Sequence, residues 1–416
     1  MAQDAGTPGA SRLTSLIFAV AAGLSVANIY YAQPLLDAMA ADFGIAPAVI
    51  GAVVTLTQIG YGLGLIFIVP LGDLLDRRRL IIVQGLLSAV ALIAVATART
   101  EAILFAGMAA IGLLAVVVQV LVAFAATLAA PTERGKAIGA VTSGVVIGIL
   151  AARFVAGLLA DLGGWRAVYA TSAALTLVMV ALLAQVLPRH LPRDSDDSYP
   201  AAVRSIPRLF SRDPISVGRG LLALLIFASF SAFWTALVLP LSAEPFGYSH
   251  TRIGLFGLVG MAGAIAATAA GKLADRGLGQ WTTGISLLLL LASWALLALL
   301  PVSIVALIVG IVVLDLSVQA VHVTNQSILL GRHPEARSRL IGGYMVFYSI
   351  GSALGAIAAT IAFSRAGWAG VSTLGAGFSL LALLVWSLTL RLGTVCAAAT
   401  DAITPSAASC PSADRT

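Results

Sequence analysis

The 416 residues are 60% hydrophobic and only 10% charged, whereas soluble domains carry about 25% charged residues. With a mean hydropathy of +1.02, this excludes a soluble enzyme or scaffold and leaves an integral membrane protein that crosses the bilayer many times. The net charge of +6 does not point to nucleic acid, because the basic residues sort by loop and so report topology.

The first twelve residues are polar and read as a cytoplasmic tail, 1–12. The apolar run after them is too long for a signal-peptide core, so no cleavable leader is expected. About twelve apolar segments of spanning length follow, near 13–35, 47–70, 79–98, 102–129, 135–160, 165–187, 218–242, 252–271, 280–300, 302–330, 340–363 and 368–392. The stretch 188–217 is hydrophilic, with several arginines, aspartates and prolines, and reads as a cytoplasmic linker. It separates a first six-helix half, 13–187, from a second, 218–393. Residues 394–416 are rich in Ala, Ser, Thr and Pro and are expected to be a disordered cytoplasmic tail. Both cysteines, Cys396 and Cys410, fall there, with no disulfide framework and no metal spacing.

In chain order, the polar residues inside these segments are few. Asn28, Tyr30, Tyr31 and Gln33 precede Pro34 in the first. Gln58 and Tyr61 share a face of the second at i, i+3. Gln119 lies in the fourth. The fifth carries Gly144 and Gly148, a spacing that lets helices pack closely, and then Arg153, Ala156 and Gly157. Arg153 should not face lipid. Two readings of it stand. It binds an anionic substrate or pairs with Asp315; or it is a structural clamp on backbone carbonyls, or snorkels outward with Asp161 as its partner. Trp234 lies in the seventh segment. It and the Tyr31 region read either as cavity walls or as interface anchors.

The tenth segment holds the main signal. Asp315, Gln319, His322 and Gln326 fall at i, i+4, i+7 and i+11 of one helix face, with Asn325 at its edge. A carboxylate at mid-bilayer costs roughly 2.5–3.5 kcal/mol on the insertion scale, so this stripe faces protein or water. It reads as one wall of a polar cavity, against the alternative of a buried structural hydrogen-bond network. Asp315 and His322 are the candidate proton carriers. Tyr344 and Tyr348, one turn apart on the eleventh helix, are placed to join them.

With both termini in the cytoplasm, every Lys and Arg lies inside except Arg99, Arg166, Arg252 and Arg365, which fall outside, and Arg153, read as the one basic residue within a span. That is the positive-inside asymmetry. The halves also repeat. Phe43-Gly44 recurs as Phe246-Gly247, Pro131 with Arg134 and Lys136 as Pro334 with Arg337 and Arg339, and Gly164-Trp165 as Gly367-Trp368. The offset is about 200 residues throughout, and Gln119 and Gln319 fall on matching positions. The fold class is therefore an all-α integral membrane protein of two pseudo-symmetric six-helix bundles.

Gly72, Leu74, Asp76 and Arg77 after the second helix, and Gly271, Leu273, Asp275 and Arg276 after the eighth, both spell Gly-x-Leu-x-Asp-Arg at a helix–loop junction. This resembles the signature of the major facilitator superfamily, and the resemblance covers residues 13 to about 392. It implies that helices one, four, seven and ten line a central cavity, gathering Asn28, Tyr31, Gln119, Trp234, Asp315, Gln319 and His322. It also implies latches on the cytoplasmic side, Asp76 with Arg337 or Arg339, and Asp275 with Arg134 or Lys136. Here the arginines follow Asp76 directly, where the family usually has two more residues. Drug:proton antiporters of the superfamily carry Gly-Pro-x-x-Gly-Gly on the fifth helix, where this chain has Ala152-Arg153 and Ala156-Gly157. The run Asn28 to Pro34, with Asp315 to Gln326, looks like a bacterial branch grouped with arabinose and drug efflux permeases.

The expected activity is secondary active transport of a small molecule across the bacterial inner membrane by alternating access, with protons as coupling ion and efflux as direction. The alternative is a facilitator or importer of an organic anion or sugar-like metabolite. No phosphate-binding loop is present to drive transport by hydrolysis, and no grouping supports an enzyme. No cofactor or metal is implied, and a monomer in the lipid bilayer is expected.

Overall fold

In the computed structural model the described residues are 12–129, 133–188, 199–201, 203–204, 210, 213–260, 269–270, 272–332 and 337–403. All regular structure among them is helical. Eight helices are long and apolar enough to cross a membrane, nine if a bent pair at the start is one span.

The first segment does not stop at 35. Helix α1, Arg12–Tyr30, meets a 3-10 turn, Gln33–Leu35, and continues as α2, Leu36–Phe43, with a bend of 41° between the two parts. Pro34 explains the bend, since it removes a backbone donor. Next come α3, Ala52–Phe67, α4, Leu71–Leu74, and α5, Arg77–Ala96. The fourth segment divides at Val116 into α6, Glu101–Ala115, and α7, Val117–Leu128. Helices α8, Arg134–Gly163, and α9, Trp165–Val186, complete the first half.

The second half begins at α10, Pro214–Ala236, earlier than the boundary read at 218. Asp213 caps it, accepting from the Ile215 amide at 3.2 Å and from Ser216 Oγ at 2.7 Å. Arg219 thereby lies inside the helix and is buried, so Arg153 is not the sole basic residue within a span. There follow α11, Val238–Ser242, α12, His250–Val259, α13, Gly279–Leu297, α14, Ile304–Arg332, and α15, Arg337–Ile403. Helix α15 breaks at Ala366 and Gly367 and runs past the tail boundary read at 393.

Glycines set the packing. Gly148 of α8 lies against α1, where a Cβ would come 2.7 Å from Gly23 Cα; Gly351 of α15 lies against α10, where a Cβ would come 2.8 Å from Leu224 Cα. These two glycines are equivalent positions of the repeat, so each half seats its fifth helix on its first in the same way. Gly44 and Gly247, with φ of 69° and 52°, and Gly164 and Gly367, with φ of 77° and 58°, reverse the chain at equivalent places. A residue with a side chain rarely adopts such angles.

Among the described residues the halves meet toward one end of the molecule. The end that carries Leu187 and Asp213 is the linker end, and the opposite one the far end. Helices α3 and α15 touch through Thr55 Oγ1 donating to Ala353 O at 2.9 Å, Thr360 Oγ1 donating to Ala48 O at 3.1 Å, and Ser349 Oγ donating to Gln58 O. Helices α8 and α12 touch where Gly254 faces Arg153 O and Phe154 Cα, and Gly157 faces His250 O. Tyr30 and Tyr348 share a hydrogen bond of 2.6 Å at mid-depth. In front of Gly139 and Gly342, again equivalent positions, nothing among the described residues lies within 4 Å of a built Cβ.

Leucine at Gly148 or at Gly351 is expected to abolish folding, since overpacking at even a tolerant site costs about 1–3 kcal/mol. Alanine at Gly139 or Gly342 leaves the melting temperature of the detergent-purified protein unchanged. Monodispersity and thermal unfolding of the four variants check this.

Candidate functional site

Arg153 sits midway along α8 and is 3% exposed. Its Nε donates to Gln33 Oε1 at 2.8 Å, so the turn after α1 supplies its one neutral acceptor. The guanidinium lies 4.1 Å from the centroid of Trp234, 5.1 Å from that of Tyr30 and 5.8 Å from that of Phe230. Desolvated cation–π contacts contribute about 2 kcal/mol. Gly257 permits the approach, because a Cβ there would press on Arg153 Cβ at 3.0 Å. Arg153 Nη2 has no protein partner. A cavity of about 10 Å³ lies between Gln33, Arg153, Trp234, Leu237 and Ile253, room for about one water.

Trp234 of α10 has two jobs at once. Its face covers the guanidinium, and its Nε1 donates to Asp315 Oδ1 at 3.3 Å. Asp315 of α14 is 6% exposed. Its other oxygen lies against Gly260, where a built Cβ would overlap it. Among the described residues the two charges make no direct ion pair; the indole stands between them, close enough for each to act on the other electrostatically. The site thus joins Gln33 and Arg153 from the first half to Trp234 and Asp315 from the second.

The stripe on α14 divides in two. His322 lies two turns from Asp315 and keeps separate company. Its Nδ1 is 3.0 Å from Tyr344 Oη, its Nε2 is 3.3 Å from Gln326 Nε2, and Phe227 stands edge-on at 5.1 Å. Asn325 turns away and accepts from Arg219 Nη1 at 2.9 Å, while Thr283 accepts from the same atom at 3.1 Å. Gln319 is half-buried between the two clusters.

Other residues expected to line the cavity have partners of their own or are buried. Asn28 accepts from Ser172 at 2.6 Å within the first half, and Tyr31 is buried beside that pair. Gln119 reaches Tyr61 at 3.4 Å, and the Tyr61 ring meets Tyr348. Gln58 is buried with its side-chain oxygen unpartnered. Arg153 neither clamps backbone carbonyls nor reaches Asp161, which is engaged with His250 and Thr251 instead.

At the linker end Asp76 caps α5, accepting from the Arg79 amide at 2.7 Å. Arg77 donates to Gly72 O at 2.9 Å and to Thr127 at 2.6 Å. Space does not force glycine at 72, since a Cβ would meet Val120 at an ordinary 3.6 Å. Arg276 is exposed in a π-turn, Ala274–Leu278. Gly271 and the side chains of Arg134, Asp275, Arg337 and Arg339 lie outside the described residues.

Sequence reasoning missed Gln33, Tyr30 and Phe230 as partners of Arg153, and missed Arg219. The signal for Arg219 was available: Asp213-Pro214 is a helix start with a cap and a first-turn proline, which puts Arg219 in the second turn.

Gln33→Leu leaves the Arg153 Nε buried without an acceptor. That costs about 1–3 kcal/mol, read as a lowered melting temperature, and Gln33→Glu does not share the loss.

The Major Facilitator Superfamily profile matches residues 18–334 and again 219–402. An uncharacterized transporter, YgaY, of Escherichia coli O157:H7 is 47% identical over 374 residues, 89% of this chain and 94% of that one. A purine ribonucleoside efflux pump, NepI, of Escherichia coli O127:H6 is 28% identical over 55% of this chain and 56% of its own. A solved bacterial homolog of the human lysosomal transporter Spinster, in an inward-facing and occupied conformation, has a TM-score of 0.77 at 15% identity, over 93% of this chain and 98% of that one.

Proposed function

This chain belongs to the major facilitator superfamily and is a multi-pass membrane transporter, and from that premise we propose that it is a proton-coupled exporter of a small molecule. The observation that carries the proposal is the Trp234 bridge between a buried carboxylate of one half and a buried guanidinium of the other. The reading counts twelve spans in two six-helix bundles. The break at Ala366 and Gly367 divides the last helix in two, and Ala52–Phe67 and His250–Val259 belong to the shorter spans. It sets both termini and the linker end in the cytoplasm of a bacterial inner membrane, on the loop charges, with the monomer as the working unit.

On this orientation the far-end closure and linker-end opening are an inward-facing state. When ionised, Asp315 holds the indole N–H and so keeps the ring over Arg153. Protonation removes the anionic acceptor, frees the indole and uncovers the guanidinium. A substrate that donates to ionised Asp315 is displaced by the proton that neutralises it, so the two compete for one carboxylate, which is the requirement for exchange. Export as the direction draws support from the relative named an efflux pump.

A second reading is favoured by one observation, the unpartnered Nη2 of Arg153. It is a facilitator or importer of an organic anion, with the anion on that nitrogen.

A growth screen of a deletion strain against toxic compounds supplies a substrate. In proteoliposomes, Asp315→Asn is expected to lose uphill flux under an imposed pH gradient by about tenfold or more, while counterflow without a gradient persists. Uphill flux retained in Asp315→Asn refutes the coupling role. Counterflow indifferent to pH in the wild type favours the second reading.

A further inference from the structure

At the far end, three titratable side chains lie across the seam between the halves, one to two helical turns beyond the central site. His250 begins α12 in the second half. Its Nε2 is 3.1 Å from Asp37 Oδ1 on α2, and its Nδ1 is 3.3 Å from Asp161 Oδ1 near the end of α8, both in the first half. Asp161 also accepts from the backbone amides of His250 at 3.1 Å and Thr251 at 2.9 Å. It therefore caps a helix of the opposite half, where the positive dipole end favours it.

The ring is asked to donate from both nitrogens, one to each carboxylate. Only the imidazolium does that; a neutral ring has one N–H and turns a lone pair toward the other acid. The two nitrogens point to different carboxylates rather than converging with them, and no group of three His, Cys, Asp or Glu among the described residues fits a metal ion. Side-chain exposures of 23% for His250, 24% for Asp37 and 27% for Asp161 leave a path to solvent at the far end. The neighbouring charges are otherwise engaged: Asp42 with Arg166 and Trp165, and Arg252 over the Tyr248 ring.

We infer that His250, Asp37 and Asp161 form a second proton-binding site, in which a proton taken from the far side locks the outer ends of the two halves together. The site rests on the alternating-access reading but not on Asp315. The hydrogen bond to Asp37 is the largest influence on His250 and raises its pKa above the ordinary value; burial opposes this, and Asp161 adds to it. The sign follows from that direction. The lock is complete below the unperturbed histidine pKa and is lost as pH rises through the raised one. Its loss leaves Asp161 on the α12 amides but removes one of the two ring bonds. In an exporter driven by inward proton movement, a proton arriving from outside would thus close the outer gate behind the departed substrate.

The test needs no substrate. Full-length protein carrying Cys396→Ser and Cys410→Ser, with nitroxides at Arg99→Cys and Val302→Cys in the far-end loops of the two halves, is placed in lipid nanodiscs. Electron–electron distances are read from about pH 5 to about pH 9, a range that brackets histidine titration. One short distance is expected at low pH, with a longer population growing as pH rises. His250→Gln removes the step, and Asp37→Asn lowers its midpoint by about 1 pH unit; Asp37→Asn alone carries the comparison if His250→Gln fails to fold. Asp315→Asn keeps the step, which separates this site from the central one. A step absent from the wild type, or unmoved in the His250 and Asp37 variants, overturns the inference. So does a step that disappears with Asp315→Asn.

Discussion

The structure depends on how a guanidinium is kept from lipid. Arg153 is 3% exposed and deep in a helix, where a bare cation is costly. It is satisfied by a neutral acceptor from its own half, Gln33, and by aromatic faces of which two, Phe230 and Trp234, come from the other half. The halves must therefore be joined at this level for the charge to be covered. Glycines make the join possible: Gly254 meets the Arg153 backbone and Gly257 its side chain. The stabilisation of one charge and the closure of one end of the molecule are the same set of contacts.

Trp234 turns that arrangement into something that can respond. Its indole donates to Asp315 at one edge and covers Arg153 with its face. A residue that did only one of these would fix a charge or pack a seam. The far-end His250 cluster works on the same seam from outside, with carboxylates and cation exchanged between the halves. Two charged contacts of opposite arrangement thus hold one interface, one buried and one half-exposed.

Much of this was legible in the sequence where a residue violates its surroundings. Asp315 stood out because hydrocarbon penalises it, and it is buried with the Trp234 indole as a donor. The repeat was legible because glycines with positive φ allow few replacements, so Gly44 and Gly164 reappear as Gly247 and Gly367. Pairings across the seam were not legible. Nothing local to Asp161 says that it caps α12, and Gln33 looked like one more polar residue before a proline. Asn28 shows the converse. Its polarity predicted a cavity wall, and the contact it makes is to a serine inside the same half, whose hydroxyl its side-chain oxygen accepts. The helical stripe gave a face and not a destination, so His322 and Asp315 shared a stripe yet serve separate clusters.

The central claim is that Asp315 takes up and releases a proton while Trp234 reports the change. Infrared difference spectra between two pH values, on the purified protein in lipid, measure this directly. The account predicts a protonated-carboxyl band that titrates and vanishes in Asp315→Asn, and an ionised-carboxylate band that shifts in frequency in Trp234→Phe, where the indole donor is gone. A spectrum in which the protonated-carboxyl band is absent from the wild type, or persists unchanged in Asp315→Asn, contradicts it.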